Sequence, residues 1–421
     1  MPFRRSDSPH AAGAGALIIG ASQAGIQVAA SLRQFAYEPP ITLVGSEPHP
    51  PYQRPPLSKQ FLSGDVEAAG LTFRSPTFYK EARIDLVSGE RIAFIELSED
   101  GASGAAIAES GQQFTFDRLA LTVGGQPRRL QVPGIELDGV CYLRKLADAD
   151  NFRRRLANAQ DVVIIGGGFI GLETAAAVRQ AGMTVTVVEA ADRLLSRAVA
   201  PLISDFFVDA HTRRGVRVML SQNVTALHGR NGHVESVELA DGTVPADLVV
   251  VGIGLVPHTR LAEGLGLECA GGIVVDRFAR TSNPAIVAAG DCTVLPHPLT
   301  GAGQVHIESV QNAIAQAQVA AATMTGRLNV RRTVPWFWSD QGSLKLQIAG
   351  LNAGYDATVL RGDPDTEQFS LLYYRDGRLI AVDSVNAPRD YMAVRKALAD
   401  ERNISPNSAG DTNVALKELL E

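Results

Sequence analysis

At 421 residues, with 45% hydrophobic and 20% charged residues, the chain has the composition of a globular protein of two or three domains with ample core. A net charge of −6 gives no electrostatic case for nucleic acid, and no run approaches the roughly 18 apolar residues that span a membrane. Residues 1–13 read as a frayed, basic and polar tail, and the apolar run at 16–20 is too short for a signal segment, so a cytoplasmic location is expected.

The first patterned stretch is 16–25, A-L-I-I-G-A-S-Q-A-G. It reads as a buried strand running into a turn, Gly20-x-Ser22-x-x-Gly25, with Ser22 where a middle glycine usually sits. A helix to about Phe35 and a strand over 41–44 follow, and Glu47 lies 22 residues after Gly25. Such a unit holds a dinucleotide. The glycines turn the chain and let it approach a pyrophosphate, the helix N-terminus faces the phosphates, and the acid takes a ribose. Next comes Y-Q-R-P-P-L-S-K at 52–59, whose prolines predict an extended loop with no helix. That loop can hold Arg54 and Lys59 against a phosphate or a cofactor edge; a solvated basic loop is the plain alternative. Short alternating strands fill 83–123, among them 84–87 and 114–123, with a Gly/Ser-rich turn at 100–104. Residues 123–127, V-G-G-Q-P, mark a crossover out of this unit.

A second unit opens at 162–173, V-V-I-I-G-G-G-F-I-G-L-E. Gly166 lets the chain turn, Gly168 admits the pyrophosphate, and Gly171 lets the helix pack close to the strand. The strand at 183–189 ends on Glu189, 18 residues after Gly171. The two turns begin 146 residues apart, each with its own acid, which predicts two bound dinucleotides. A buried strand at 246–251 runs into Gly252-Ile253-Gly254. Further strands are expected at 272–276 and within 281–291, where A-A-G-D ends on Asp291. An alanine-rich helix is expected over 307–324. Past Pro335 the texture changes to aromatics, then strands at 345–349, 357–360, 369–374 and 379–385, a helix at 391–400 and a polar tail. The fold class is therefore α/β: two Rossmann-like dinucleotide-binding domains and a C-terminal α/β domain of about ninety residues.

The three cysteines, Cys141, Cys269 and Cys292, form no C-x-x-C and no metal-ligand spacing. They read as buried, reduced thiols, and no metal is expected.

Several segments together resemble the pyridine nucleotide-disulfide reductase superfamily. They are R-P-P-L-S-K (54–59), I-G-G-G-F-I-G-L-E (165–173), A-D-L-V-V-V-G-I-G-L-V-P (246–257), A-A-G-D-C (288–292), I-E-S-V-Q-N-A (307–313) and W-F-W-S-D-Q (336–341). Within it the resemblance is to FAD-dependent NADH:ferredoxin reductases of the putidaredoxin-reductase type, and it covers nearly the whole chain. It implies a glutathione reductase-like arrangement: an FAD domain at 1–123 and 249–330, an NAD domain at 124–248, and a C-terminal domain at 331–421. The first turn, with Gly20, Ser22, Ala24 and Gly25, would hold FAD together with Glu47, Arg54, Lys59, Ile92, Arg144, Asp291 and Val310. The second, with Gly166, Gly168, Phe169, Ile170 and Gly171, would hold NAD with Glu189 and Gly254. Val123 departs from the family's T-G-G turn, with Thr122 displaced by one.

A disulfide reductase needs a redox cysteine pair beside the flavin, which this chain lacks. The oxidase and peroxidase branch uses a cysteine just after the first unit, and none occurs before Cys141. What remains is hydride transfer from NADH to FAD, then single electrons to a 2Fe-2S ferredoxin. The ferredoxin would serve a haem-thiolate monooxygenase, or alternatively a Rieske-type aromatic-ring dioxygenase. A third reading is an NADH-sensing flavoprotein similar to apoptosis-inducing factor. Lys59 is expected to pair with Glu173 at the flavin edge, both in catalytic roles, and Trp338 to lie at the flavin rim. The helix starting near Val310 would aim its positive end at the flavin. Glu189 favours NADH over NADPH, although Arg193 and Arg197 lie nearby. Arg331, Arg332, Arg389, Arg395 and Lys396 are candidates for a basic ferredoxin-docking patch. A monomer or weak homodimer is expected.

Overall fold

The computed structural model describes residues 13–99, 101–328 and 333–421; the expected N-terminal tail, Arg331 and Arg332 lie outside them, apart from residue 13. The chain divides into two compact units, residues 1–53, 72–125 and 257–333 in one and residues 54–71, 126–256 and 334–421 in the other.

The first unit is built on a five-stranded parallel sheet, in the order Ile286–Ala288, Arg118–Leu121, Ala16–Ile19, Ile41–Gly45, Ile84–Ser88. Its central strand, A-L-I-I, is buried along its whole length, as a strand covered on both faces must be. The helices Gln23–Gln34 and Val310–Met324 cover one face. Their shared surface is made of small residues, Ala24, Ala29, Ala313, Ala317 and Ala320, which lets the backbones approach closely. An antiparallel sheet of Ile92–Leu97, Gly104–Ala108 and Gln113–Phe116 contributes to the apolar core on the other face.

The second unit carries the other parallel sheet, in the order Val216–Met219, Thr184–Val188, Asp161–Ile165, Leu248–Val251, Val140–Tyr142. The helices Phe169–Gln180 and Pro201–Arg213 belong to it. Its C-terminal part is a five-stranded antiparallel sheet that begins with Trp336–Gln341, with the helix Pro388–Ala399 packed through Tyr391 and Val394. The α/β class and both Rossmann-like sheets are as the sequence predicts.

Three local expectations need correction, and one further strand goes beyond what the sequence marks. The prolines at 55 and 56 do not enforce an extended loop; they open a 3₁₀ turn, Pro55–Ser58, and a short helix Gln60–Ser63 follows. Proline is tolerated in a first helical turn because its fixed φ suits the turn and its missing N–H has no partner to lose there. The run 114–123 is not one strand. Asp117 interrupts it, its backbone N–H donating to Gly15 O (2.8 Å) and its carboxylate accepting from Gly15 N (3.0 Å), so the two halves join different sheets. The strand expected at 272–276 shrinks to Ile273–Val274, since Asp276 turns the chain by accepting from the N–H groups of Phe278 and Arg280. The further strand is Trp336–Gln341, at the edge of the C-terminal sheet.

Candidate functional site

The two glycine turns share one geometry. Gly20 and Gly166 have φ of +115° and +113°, values that side chains rarely adopt. A Cβ on Gly25 would stand 2.0 Å from Gly20 O, and one on Gly171 would stand 2.1 Å from Gly166 O, so both helices pack too close for any other residue. Gly168 differs: nothing in the described chain lies within 4 Å of where its Cβ would be. That open ground before the N-terminus of a twelve-residue helix fits a pyrophosphate, which a side chain would displace. Ser22 holds the equivalent place in the first turn, as the residue before the Gln23–Gln34 helix.

Within the first unit the fold gathers several of the expected cofactor contacts. The A-A-G-D turn approaches the first helix, with Gly290 (φ +88°) placed so that a Cβ would meet Ala24 Cβ at 3.1 Å and Ala313 Cβ at 3.8 Å. This sets Asp291 near Ala24 and near the Val310–Met324 helix. Gln316 of that helix accepts from Gly290 N (2.8 Å) and Thr293 Oγ1 (2.9 Å), fixing the turn. Ser309 caps the helix by accepting from Asn312 N (3.0 Å). Glu47 accepts from Tyr52 Oη (2.6 Å). Ile92 lies in the apolar core with Ile19 and Val44. Thr122 is turned inward and donates to Gly20 O (2.8 Å), so this hydroxyl supports the glycine turn.

In the second unit Glu189 sits one residue past the Thr184–Val188 strand. Its carboxylate accepts from Gly167 N (2.6 Å) and Ala191 N (2.8 Å), which ties it to the turn itself. Phe169 packs against Phe337 with the rings tilted, their centroids 4.5 Å apart, while Ile170 remains exposed. Gly254 has φ +108°, and the guanidinium of Arg197 lies beside it. Arg193 donates to Val199 O (2.7 Å), Ser204 Oγ (3.2 Å) and Ser196 O (2.6 Å), so its guanidinium is spent on its own loop. Arg54 donates to Arg144 O (2.7 Å).

A buried polar cluster also lies in this unit. Lys59, at the end of the proline turn, places Nζ 3.0 Å from Glu173 Oε1. Glu173 is 3% exposed. Its Oε1 also accepts from Ser339 Oγ (2.7 Å) and its Oε2 from Ser58 Oγ (2.7 Å). Asp340 lies 3.5 Å from the same ammonium, and Trp338 presents its ring 5.8 Å from it. Burial pushes the Glu173 carboxyl above its ordinary range, while Lys59, Ser58 and Ser339 pull it back. A buried carboxylate with three partners is stable only as a unit, because removing one partner leaves charge uncompensated in a dry environment.

Ser58, Ser339 and Asp340 were not among the expected site residues. Ser58 and Ser339 both stand inside quoted motifs, next to residues that were. The cysteines are free, but only Cys141 and Cys292 are buried; Cys269 is half-buried. Burial pushes Cys141 to about 11 and Cys292 to about 12, and raises Cys269 as well, so all three are thiols near neutral pH.

Residues 15–317 match the pyridine nucleotide-disulphide oxidoreductase family, and residues 336–420 match the reductase C-terminal domain. Rhodocoxin reductase of Rhodococcus erythropolis is 44% identical, with 95% of this chain and 93% of that protein covered. The solved ferredoxin reductase for the CYP199A2 system of Rhodopseudomonas palustris is 41% identical with a TM-score of 0.92, covering 96% and 99% of the two chains. The reductase in a covalent putidaredoxin reductase–putidaredoxin complex is 38% identical, again with a TM-score of 0.92, covering 96% and 97%. This chain belongs to the pyridine nucleotide-disulphide oxidoreductase family, as one of its FAD-binding, NAD(P)H-dependent ferredoxin reductases.

Proposed function

We propose that the protein prefers NADH, and that it delivers single electrons to a 2Fe-2S ferredoxin that supplies a haem-thiolate monooxygenase in the cytoplasm. The observation that carries the ferredoxin assignment is the state of the cysteines. All three are protonated near neutral pH and two are buried, so no thiolate is available to relay electrons to a disulfide. The monooxygenase assignment draws support from the relative that serves the CYP199A2 system.

Bound FAD supplies the exchange between a two-electron hydride donor and a one-electron acceptor. The chain's part is binding, orientation and charge. Residues 1–123 and 249–330 hold FAD, 124–248 hold the nicotinamide coenzyme, and 331–421 face the ferredoxin. The turn Gly20–Gly25 would receive the FAD pyrophosphate, to which the Ser22 hydroxyl could donate in place of a bare glycine. Glu47 would take the FAD ribose, and Ala24, Arg54, Ile92, Arg144 and Asp291 would contact the cofactor. The Val310 helix N-terminus offers partial positive charge where negative charge develops. The turn Gly166–Gly171, with Phe169, Ile170 and Gly254, receives NADH. Glu189 would accept from its 2′- and 3′-hydroxyls and repel a 2′-phosphate. Glu173 holds the Lys59 ammonium in one place, with the Trp338 ring 5.8 Å from it; this cation would serve the flavin edge. The test is NADH-dependent reduction of a panel of 2Fe-2S ferredoxins, drawn from monooxygenase and dioxygenase systems, with cytochrome c as final acceptor. Reduction that requires a ferredoxin, fastest with one from a monooxygenase system, supports the reading. Slow turnover with every ferredoxin overturns it.

A further inference from the structure

Ser339 and Gln341 stand two residues apart on the Trp336–Gln341 strand, so their side chains leave the same face. That face brings Ser339 to Glu173 of the Phe169–Gln180 helix and Gln341 to His211 of the Pro201–Arg213 helix. The result is a line of four polar side chains, each at most 3% exposed. His211 Nε2 lies 2.7 Å from Gln341 Oε1, Gln341 Nε2 lies 3.3 Å from Ser339 Oγ, and Ser339 Oγ lies 2.7 Å from Glu173 Oε1.

The carboxylate end sets the direction of the whole line. An ionised carboxylate only accepts, so the Ser339 hydroxyl donates to it. The Ser339 oxygen is then left to accept from the Gln341 amide nitrogen. This turns the amide oxygen toward His211, whose Nε2 must carry the hydrogen. His211 Nδ1 is buried with no hydrogen-bond partner among the described residues. In the neutral ring it leaves only a lone pair unpaired; in the imidazolium it would bury an unpaired N–H. Burial, helped by the nearby Arg214, accordingly holds the ring below its ordinary pKa. A carboxamide does not readily pass a proton along. The line is therefore a row of aligned dipoles, every donor pointing at Glu173.

We propose that Gln341 and His211 are positioning residues: acting through Ser339, they hold the Glu173 carboxylate ionised and oriented, and so keep the Lys59 ammonium in place. This rests on the roles given above to Glu173 and Lys59. The titratable and charged groups around the line are Lys59 on Glu173, Asp340 on Lys59, and Arg214 beside His211; Ser58 adds a neutral donor. None of these is altered in the test.

Infrared titration of the holoenzyme reads the protonated carboxyl band of Glu173, identified as the band lost in Glu173→Gln. Gln341→Leu and His211→Leu remove the aligned donors. In both, the midpoint moves up by about half a pH unit or more, and the acid limb of flavin reduction by NADH moves with it. His211→Gln keeps an N–H within reach of Gln341 and returns the midpoint toward wild type, which loss of packing alone would not do. The two histidine variants decide the matter if Gln341→Leu does not fold. An unmoved midpoint in both leucine variants overturns the proposal, provided Glu173→Gln itself slows flavin reduction. If Glu173→Gln leaves that rate unchanged, the role given to Glu173 fails and the proposal falls with it.

Discussion

Lys59 Nζ and Glu173 Oε1 stand 3.0 Å apart, and 114 positions of sequence separate the two residues. Neither charge could be buried alone. The proline turn delivers the lysine, the glycine-turn helix delivers the glutamate, and Ser58 and Ser339 complete the carboxylate's partners.

Lys59→Met removes the cation and leaves the carboxylate in a dry site. Flavin reduction by NADH is expected to slow at least about tenfold in stopped-flow, as loss of one charge-assisted contact implies. Folding stability should fall by about 3 kcal/mol. Lys59→Met combined with Glu173→Gln should recover part of that stability, since no charge is then left buried, but not the rate.

The thiols carry no electrons in this account. Treatment with iodoacetamide at neutral pH should leave NADH-dependent ferredoxin reduction unchanged, because burial keeps Cys141 near 11 and Cys292 near 12 and also raises Cys269. Loss of activity that tracks alkylation would point to a thiol relay.

Coenzyme choice should follow Glu189. The wild type is expected to favour NADH in kcat/KM, and Glu189→Ala to reduce that preference by about tenfold or more. Arg193 is held by Val199, Ser196 and Ser204, so it does not supply the 2′-phosphate contact that would rescue NADPH. The ratio of the two kcat/KM values checks this.

Docking to an acidic ferredoxin should be steep in salt despite the net charge of −6. Arg395 lies over the Trp336 ring, 4.6 Å from its centroid, and Trp336 and Trp338 are 5.8 Å apart. Arg395→Ala together with Arg389→Ala should lower kcat/KM for ferredoxin several-fold. Ferricyanide reduction by the same variant should stay as in wild type. A flat salt response would indicate an apolar docking surface instead.

Asp383 gives the C-terminal sheet a pH dependence of its own. Burial raises its carboxyl to about 7, against the Tyr373 hydroxyl that donates to it. An unfolded aspartate releases its proton near 3.8. Between those values the folded chain holds a proton that the unfolded chain has lost, so this group's stabilisation is complete at low pH and falls as pH rises through the window. Relative to Asp383→Asn, the wild type should lose on the order of 2–4 kcal/mol across it, read as the difference in Tm against pH.

Spacing made much of this legible. The two glycine turns announce themselves because their φ values and helix–strand clearances admit little else, and the acids at 47 and 189 follow at strand ends. The roles proposed for Lys59 and Glu173 rest on their motifs, and their pairing can be expected on that basis. The rest of the cluster could not. Ser339 reaches Glu173 across 166 positions, and Gln341 reaches His211 across 130; no periodicity within either segment encodes such a meeting. Pro55 and Pro56 do not by themselves tell a loop from a turn, because the same fixed φ serves an extended loop and a first helical turn. Asp117 looked like one polar position in an alternating strand, and only its bonds to Gly15 show that it ends one strand and begins another.

Direct transfer of electrons from the flavin to a ferredoxin is open to one decisive measurement. Anaerobic stopped-flow tests it: holoenzyme reduced with one equivalent of NADH is mixed with oxidised 2Fe-2S ferredoxin, and both absorbances are followed. Flavin reoxidation and cluster reduction are expected to run together, with two ferredoxins reduced per flavin, in untreated and thiol-alkylated protein alike. A cluster that stays oxidised, or one reduced only while the thiols are free, would contradict it.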